Sequence, residues 1–328
     1  MKKLCTAAIL LLALLVPGIC AREAVFNGEE YGISAVYNET SFPGDAVFVR
    51  LHFSQGLKKG RAARTDFSDI QATLEFLAEG NVCRTADFFT LSKNTRASRT
   101  LLAGVPLSTW WTAGMDCAVR VTYRLGGQKS MAFELPFSLK EKEFISETLN
   151  LNQSNSDIKT DTSVKRMEQI KKLNGILETS DPSAVYQTKP FIPPTPASRR
   201  TSFFADRRVY KYTNGKSSTS LHYGIDYGIP EGSAVGSCAD GKVVLAEMRN
   251  STGWSVVVEH LPGLYSLYYH MSELKVKEGD MVKAAQILGL SGATGLATGP
   301  HLHWEMRLNG EAVSPDFFTG DFAFASEN

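Results

Sequence analysis

The sequence predicts a mostly β protein of two domains joined by a helical, proline-rich connector. Three observations carry that prediction. Apolar residues alternate with polar ones in short runs through the first third of the chain. A single stretch near the middle repeats its apolar residues every three to four positions. The last third is again short and strand-like, punctuated by glycine. At 328 residues the chain is long enough to bury two cores.

Residues 1–21 read as an export signal. Lys2 and Lys3 give a positive start, Ala7 to Val16 is an unbroken apolar run, and Pro17-Gly18-Ile19-Cys20-Ala21 ends it with a helix breaker and small residues. The run is too short for a bilayer core, which takes about 20 apolar residues. Cleavage is expected near Cys20 or Ala21. Lipid attachment at Cys20 is a second outcome that would tether the chain to a membrane, although Pro17-Gly18-Ile19 departs from the usual lipobox.

Residues 22–139 read as an immunoglobulin-like β-sandwich. Val47, Val49, Leu51 and Phe53 alternate with Phe48, Arg50 and His52 after the Pro43-Gly44-Asp45 turn, the period of a half-buried strand. Val119, Val121 and Tyr123 alternate in the same way, Gly126-Gly127 turns the chain, and Met131, Phe133, Leu135 and Phe137 return. His52 falls on the polar face. Trp110-Trp111 reads as core, with a carbohydrate platform as the other use of such a pair. Beyond the leader, Cys83 and Cys117 are candidates for a bridge in an oxidising compartment, while Cys238 reads as a small buried hydrophobe.

Residues 140–200 form the connector. Lys140 to Asp161 is polar. Asp161 or Thr162 caps a helix whose stripe is Val164, Met167, Ile170, Leu173 and Leu177, a face for docking on either domain or on another protein. Lys189-Pro190-Phe191-Ile192-Pro193-Pro194-Thr195-Pro196 is an extended approach to residues 201–328. In that last domain, Trp254 to His260 and Tyr265 to His270 form a hairpin around Pro262-Gly263, and His260 reads as structural.

The chemistry concentrates in two segments. Three of the six histidines lie in His222-Tyr223-Gly224-Ile225-Asp226 and Gly299-Pro300-His301-Leu302-His303-Trp304-Glu305. Imidazole and carboxylate are the ligands of catalytic zinc, where three protein ligands leave a fourth position open. His222, Asp226 and one of His301 or His303 fit that role. On a strand, His301 and His303 share a face. A third element, Tyr269-His270-Met271-Ser272, brings another histidine. No cysteine enters the motifs, which argues against a closed structural zinc site.

These three ordered motifs, with the glycines of Gly228, Gly232, Gly241, Gly279, Gly289 and Gly292 between them, resemble the lysostaphin-type, or LytM-domain, zinc metalloendopeptidases that act on bacterial cell-wall peptidoglycan. The likeness runs from about Thr201 to about Pro315. It implies one Zn²⁺ per chain on His222, Asp226 and His303, with His270 and His301 as catalytic residues beside it. It also implies an antiparallel β peptidase domain, peptidoglycan peptides as substrate, and a place in the periplasm or cell envelope. Before the first ligand the family often shows Ser-x-Phe-Gly; here Ser202-Phe203-Phe204-Ala205 stands instead, and Phe204 is expected to narrow the groove.

Net charge is +1, from 35 Lys and Arg against 34 Asp and Glu, so the chain has no basic footprint for nucleic acid. Two alternatives belong to other classes. One is a non-enzymatic scaffold that activates a partner hydrolase through the N-terminal domain or the helix; the other is a module that holds peptidoglycan without cutting it.

Overall fold

The computed structural model describes residues 21–58, 61–62, 65–91, 97–187 and 189–320. Residues 1–20, on which the expected export signal and Cys20 fall, lie outside the described residues. The chain divides into two units, one ending at Lys142 and one beginning at Glu143. Among the described residues no helix is long and apolar enough to cross a membrane.

In the first unit two five-stranded sheets enclose one core. One runs Ala21–Asn27, Tyr31–Asn38, Ala46–Gln55, Ser98–Pro106, Phe89–Thr90 in spatial order. The other runs Thr40–Ser41, Met131–Leu139, Cys117–Leu125, Ile70–Ala78, Asn81–Asp87. Val47, Val49, Leu51 and Phe53 are wholly buried against Leu74, Phe76, Val119 and Val121 of the facing sheet. This is the alternation read from the sequence, with each odd position turned inward. Trp111 stacks on Phe76 with ring centroids 5.0 Å apart, whereas Trp110 stands 68% exposed.

Cys83 and Cys117 do not bridge; both are free thiols. Their strands lie on opposite sides of Ile70–Ala78, so two strand spacings, about 9.6 Å, separate them, and a disulfide needs Cα atoms under about 7 Å apart.

The second unit contains the residues expected to serve as a connector. Ser146–Asn150 pairs in parallel with Arg207–Lys211, which pairs in turn with Ser217–Leu221. Next come α1 (Gln153–Thr160) and α2 (Val164–Leu177). The side chain of Asn152 caps α1 by accepting from the Asn155 N–H, at 2.9 Å. α2 is capped by Ser163, not by Asp161 or Thr162, because the Ser163 hydroxyl reaches the Arg166 N–H. Its C-terminal half makes the apolar contact, with Leu173, Ile176 and Leu177 packed on Leu245, Val257, Tyr265, Leu267 and Tyr269, while its N-terminal half is held by polar bonds, Arg166 Nε to Ser251 Oγ at 3.2 Å and the Asn250 N–H to Gln169 Oε1 at 2.9 Å. Val164 and Met167, at the other end of the stripe, are 75% and 53% exposed.

The proline-rich segment lies away from the cleft described below. Phe191 packs edge-on against His260 and beside Phe318, and the Ile192 N–H donates to the Cys238 carbonyl. His260, expected to be structural, is fully buried and bonds to the Asp240 carbonyl and the Ser266 hydroxyl, with Cys238 Sγ 3.7 Å from its Nε2. Burial pushes its pKa down to about 4 and pushes the neighbouring Cys238 thiol up to about 11.

The main sheet of this unit is antiparallel. Its order is Arg200–Ser202, Gly224–Tyr227, Leu302–Leu308, Leu264–Met271, Gly253–Leu261, Gly241–Arg249, Met281–Val282, with Glu311–Val313 also on Leu302–Leu308. The expected hairpin is its centre, turning at Pro262 and at Gly263, whose φ is 73°.

Leu177 is 3% exposed in the groove that receives α2. Leu177→Ala is expected to lower the free energy of unfolding of the full chain by about 2–4 kcal/mol through the cavity it leaves. Urea denaturation followed by tryptophan fluorescence reads this directly.

Candidate metal centre

Three neighbouring strands of the main sheet bring the motif residues together. Asp226 on Gly224–Tyr227 is directly opposite His303 on Leu302–Leu308, and His303 is in turn opposite Tyr269 on Leu264–Met271. Directly opposed residues point to the same face. Gly224 makes this pairing tight: a Cβ there would sit 2.3 Å from the Trp304 carbonyl oxygen, so no larger residue fits between His222 and Asp226 at that point.

Each of four histidines has one ring nitrogen tied to a fixed acceptor. The Nδ1–H of His222 donates to the Phe203 carbonyl at 2.8 Å. His270 donates from Nδ1 to Thr294 O at 2.8 Å, and His301 from Nδ1 to Gly299 O at 2.8 Å. In His303 the tied nitrogen is Nε2, which donates to Glu305 Oε1 at 2.9 Å. These partners assign the tautomer of each ring in its neutral form: the remaining nitrogen then carries the lone pair.

Two of those lone-pair nitrogens and one carboxylate oxygen converge. His222 Nε2, His303 Nδ1 and Asp226 Oδ1 form a triangle with edges of 3.0, 3.1 and 2.7 Å. All three residues are buried. Three electron-rich atoms at this separation repel one another unless positive charge lies among them. The centre draws such charge in: burial alone would keep His303 neutral, yet Asp226 and Glu305 raise its pKa to about 9. Burial likewise works against the Asp226 carboxylate, but the neighbouring His222 and His303 rings hold it well below the usual range. Two metal bonds of about 2.1 Å at a tetrahedral angle put ligand atoms about 3.4 Å apart. The triangle fits a single small divalent ion after shifts of a few tenths of an ångström.

The other two imidazoles border the triangle. His301 Nε2 is 3.8 Å from Asp226 Oδ1, and the His270 and His301 ring centroids are 4.7 Å apart. His270 is held at φ 62°, a left-handed conformation that costs a non-glycine residue about 1–2 kcal/mol. Its N–H bonds to Thr252 O, which fixes it in that conformation. Burial, then the neighbouring His301 and His303, press the pKa of His270 down to about 3.

The sequence reading missed a supporting layer. Glu305 takes His303 Nε2–H on one oxygen and Arg307 on the other, at 2.7 Å to Nε and 2.6 Å to Nη2. Tyr269 stacks on His303 with centroids 5.4 Å apart and planes 4° from parallel. Arg208 reaches Asp226 Oδ2 at 3.4 Å while its Nε donates to Glu147 at 2.6 Å. The signal for Glu305 was present, since it stands two residues after His303 on one strand and shares its face. For Arg208 and Glu147 no motif pointed to the site.

The triangle opens into a cleft of about 550 Å³. Its walls include Thr298, Gly299 and Pro300 on one side and Glu147, Leu149 and Asn155 from the supposed connector on another. Phe204 is not among its lining residues but is buried, so it does not narrow the groove. The residue in the glycine position is Ala205, which takes φ 64°, the conformation for which glycine is the default.

The model of peptidase family M23 matches residues 220–315. The chain contains a peptidase family M23 domain. The M23 domain is 41% identical over 95 residues to DD-carboxypeptidase/endopeptidase Mpg of Neisseria meningitidis serogroup B, a span of 29% of this chain and 22% of that protein. It is 37% identical over 116 residues to peptidoglycan DD-endopeptidase ShyA of Vibrio cholerae, 35% of this chain and 26% of that one. Glycyl-glycine endopeptidase ALE-1 of Staphylococcus capitis is 43% identical over 91 residues, 27% and 25% of the respective chains. The chain thus spans about a quarter of the length of the curated relatives it matches. The resemblance read from the motifs is borne out, and the matched stretch holds all five of His222, Asp226, His270, His301 and His303.

A metal ligand whose second nitrogen is held by a carboxylate is both oriented and made more basic. Glu305→Gln is therefore expected to weaken binding of one divalent ion per chain about 10- to 100-fold, measured by competition with a chromogenic chelator.

Proposed function

We propose that the chain is a zinc-dependent endopeptidase that cuts peptide bonds in the stems or cross-links of peptidoglycan, in the periplasm or cell envelope. The observation that carries this reading is the buried triangle of His222 Nε2, Asp226 Oδ1 and His303 Nδ1, bordered by two imidazoles whose lone pairs face the cleft. The names of the M23 relatives support peptidoglycan as the substrate. Because those names cover different bonds, the bond cut by this chain is a separate question.

In this reading His222, Asp226 and His303 hold the ion. Zinc bound there supplies a Lewis acid that polarises a carbonyl and brings the pKa of a bound water to about 7. His301, whose Nε2 lies 3.8 Å from Asp226 Oδ1, takes a proton from the attacking water and returns it to the leaving amine nitrogen as the C–N bond breaks. His270, with Nε2 also free, accepts the N–H of the scissile amide and so orients it. The carbonyls of Gly299 and Thr294 keep both rings from turning over. Glu305 and Arg208 hold His303 and Asp226 in place. The first unit and the exposed part of α2 are left as sites for a protein partner.

Incubating purified peptidoglycan with the full chain is expected to release new peptide ends, read by mass spectrometry, that vanish with chelator and return with zinc. His301→Ala is expected to retain stoichiometric zinc while turnover falls about 10²- to 10⁴-fold. A zinc-loaded chain that yields no new ends would favour the scaffold reading.

A further inference from the structure

The charges lining the cleft do not cancel. Its charged side chains, apart from histidine, are Glu147, Lys159, Arg199, Arg208, Asp226 and Glu305. Glu147 is taken by Arg208, and Glu305 by Arg307 and His303. Asp226 faces His222 and His303, with Arg208 behind it. Lys159 and Arg199 remain, and neither has an ion pair with a carboxylate among the described residues.

Lys159 is the better defined of the two. Its ammonium lies 4.2 Å from the centre of the buried Tyr210 ring, which also lines the cleft. The helix that carries it is pinned in place: Asn155 Nδ2 donates to the Ala297 carbonyl at 3.3 Å, and Ser156 Oγ accepts from the Thr213 N–H at 3.3 Å. Burial, then repulsion from Arg166 and Arg208, lowers the Lys159 pKa, so the ammonium stands in surroundings that disfavour its charge. A group in that position gains from an anion. Thr201, two residues after Arg199, also lines the cleft, and the Arg199 carbonyl is fixed by the Gly228 N–H at 3.1 Å.

We propose that Lys159 and Arg199 form an anion subsite that binds a free carboxylate of the peptide substrate, so that this chain selects stem peptides bearing carboxylates over the same peptides with carboxamides. The inference rests on the peptidase reading and names the substrate class for it. Both residues lie outside residues 220–315, so this selectivity is supplied by the chain ahead of the M23 match. The metal adds further positive charge to the same cleft, which reinforces the preference at long range while the two side chains give it a place.

The test uses a fluorescently tagged, cross-linked muropeptide in two forms, one with free carboxylates and one with those groups converted to carboxamides. Binding is measured by anisotropy to the full zinc-loaded chain carrying His301→Ala, so that bound peptide stays intact. The free-carboxylate form is expected to bind about tenfold tighter or more. Lys159→Gln with Arg199→Gln should bring the ratio close to one and leave affinity for the carboxamide form within about twofold, whereas Lys159→Arg should keep the preference. Equal affinity for the two forms, no measurable binding of the free-carboxylate form, or a preference that survives the double substitution would overturn the subsite. Cleavage by the unsubstituted chain is scored separately. Both forms bound equally and cut equally would sink the subsite and leave the peptidase reading intact. A carboxylate preference lost on the double substitution, without any cleavage, would support the subsite and sink the peptidase.

Discussion

The pairing of Gly224–Tyr227, Leu302–Leu308 and Leu264–Met271 is the constraint on which the site depends. In an antiparallel ladder the register alone decides which side chains face one another. A slip of one residue would send Asp226 to one face and His303 to the other. The hydrogen bonds of the ladder therefore set the donor triangle, and the glycine at 224 lets two of the backbones approach closely enough to form it. Everything nearer the chemistry refines this arrangement. Carbonyls hold the rings of His222, His270 and His301, and a carboxylate holds that of His303.

Much of this was legible in the residues. Period-two alternation located strands of the first unit, because a sheet with one buried face writes its register into the sequence, and glycine punctuation around an apolar hairpin located those of the second. The same period put His301 and His303 on one face, and Asp226 and His303 emerged opposite each other. Where the reading stopped, the signal was physically weak. Ser146–Asn150 is a half-exposed strand with little apolar content, and α1 has no apolar stripe, so neither announced itself. Both nonetheless belong to the unit that carries the site and contribute residues to its cleft. The proline-rich run was extended as expected, but its one large aromatic, Phe191, found its apolar partners around His260 and Phe318 rather than at the groove. No local pattern records such long-range partners.

The two backbone outliers near the site separate strain from function. Ala205 has the conformation that suits glycine, but its neighbour Phe204 is buried, and the cost there is structural. His270 has the same conformation while presenting a lone pair to the cleft. Strain on a residue of that kind persists only where packing overdetermines it. The bonds that His270 donates to the Thr252 and Thr294 carbonyls supply that determination.

Tyr269 belongs to two environments at once. One face of its ring stacks on His303, and the same residue forms part of the apolar groove that receives Leu173, Ile176 and Leu177 of α2. The orientation of a buried imidazole is thus coupled to the seating of a helix that begins well over one hundred residues earlier in the chain. In a genetic screen, alleles in that helix would surface alongside alleles of the histidines themselves, although they share no motif with them. The helix would be scored as part of the active centre by phenotype long before any alignment grouped it there.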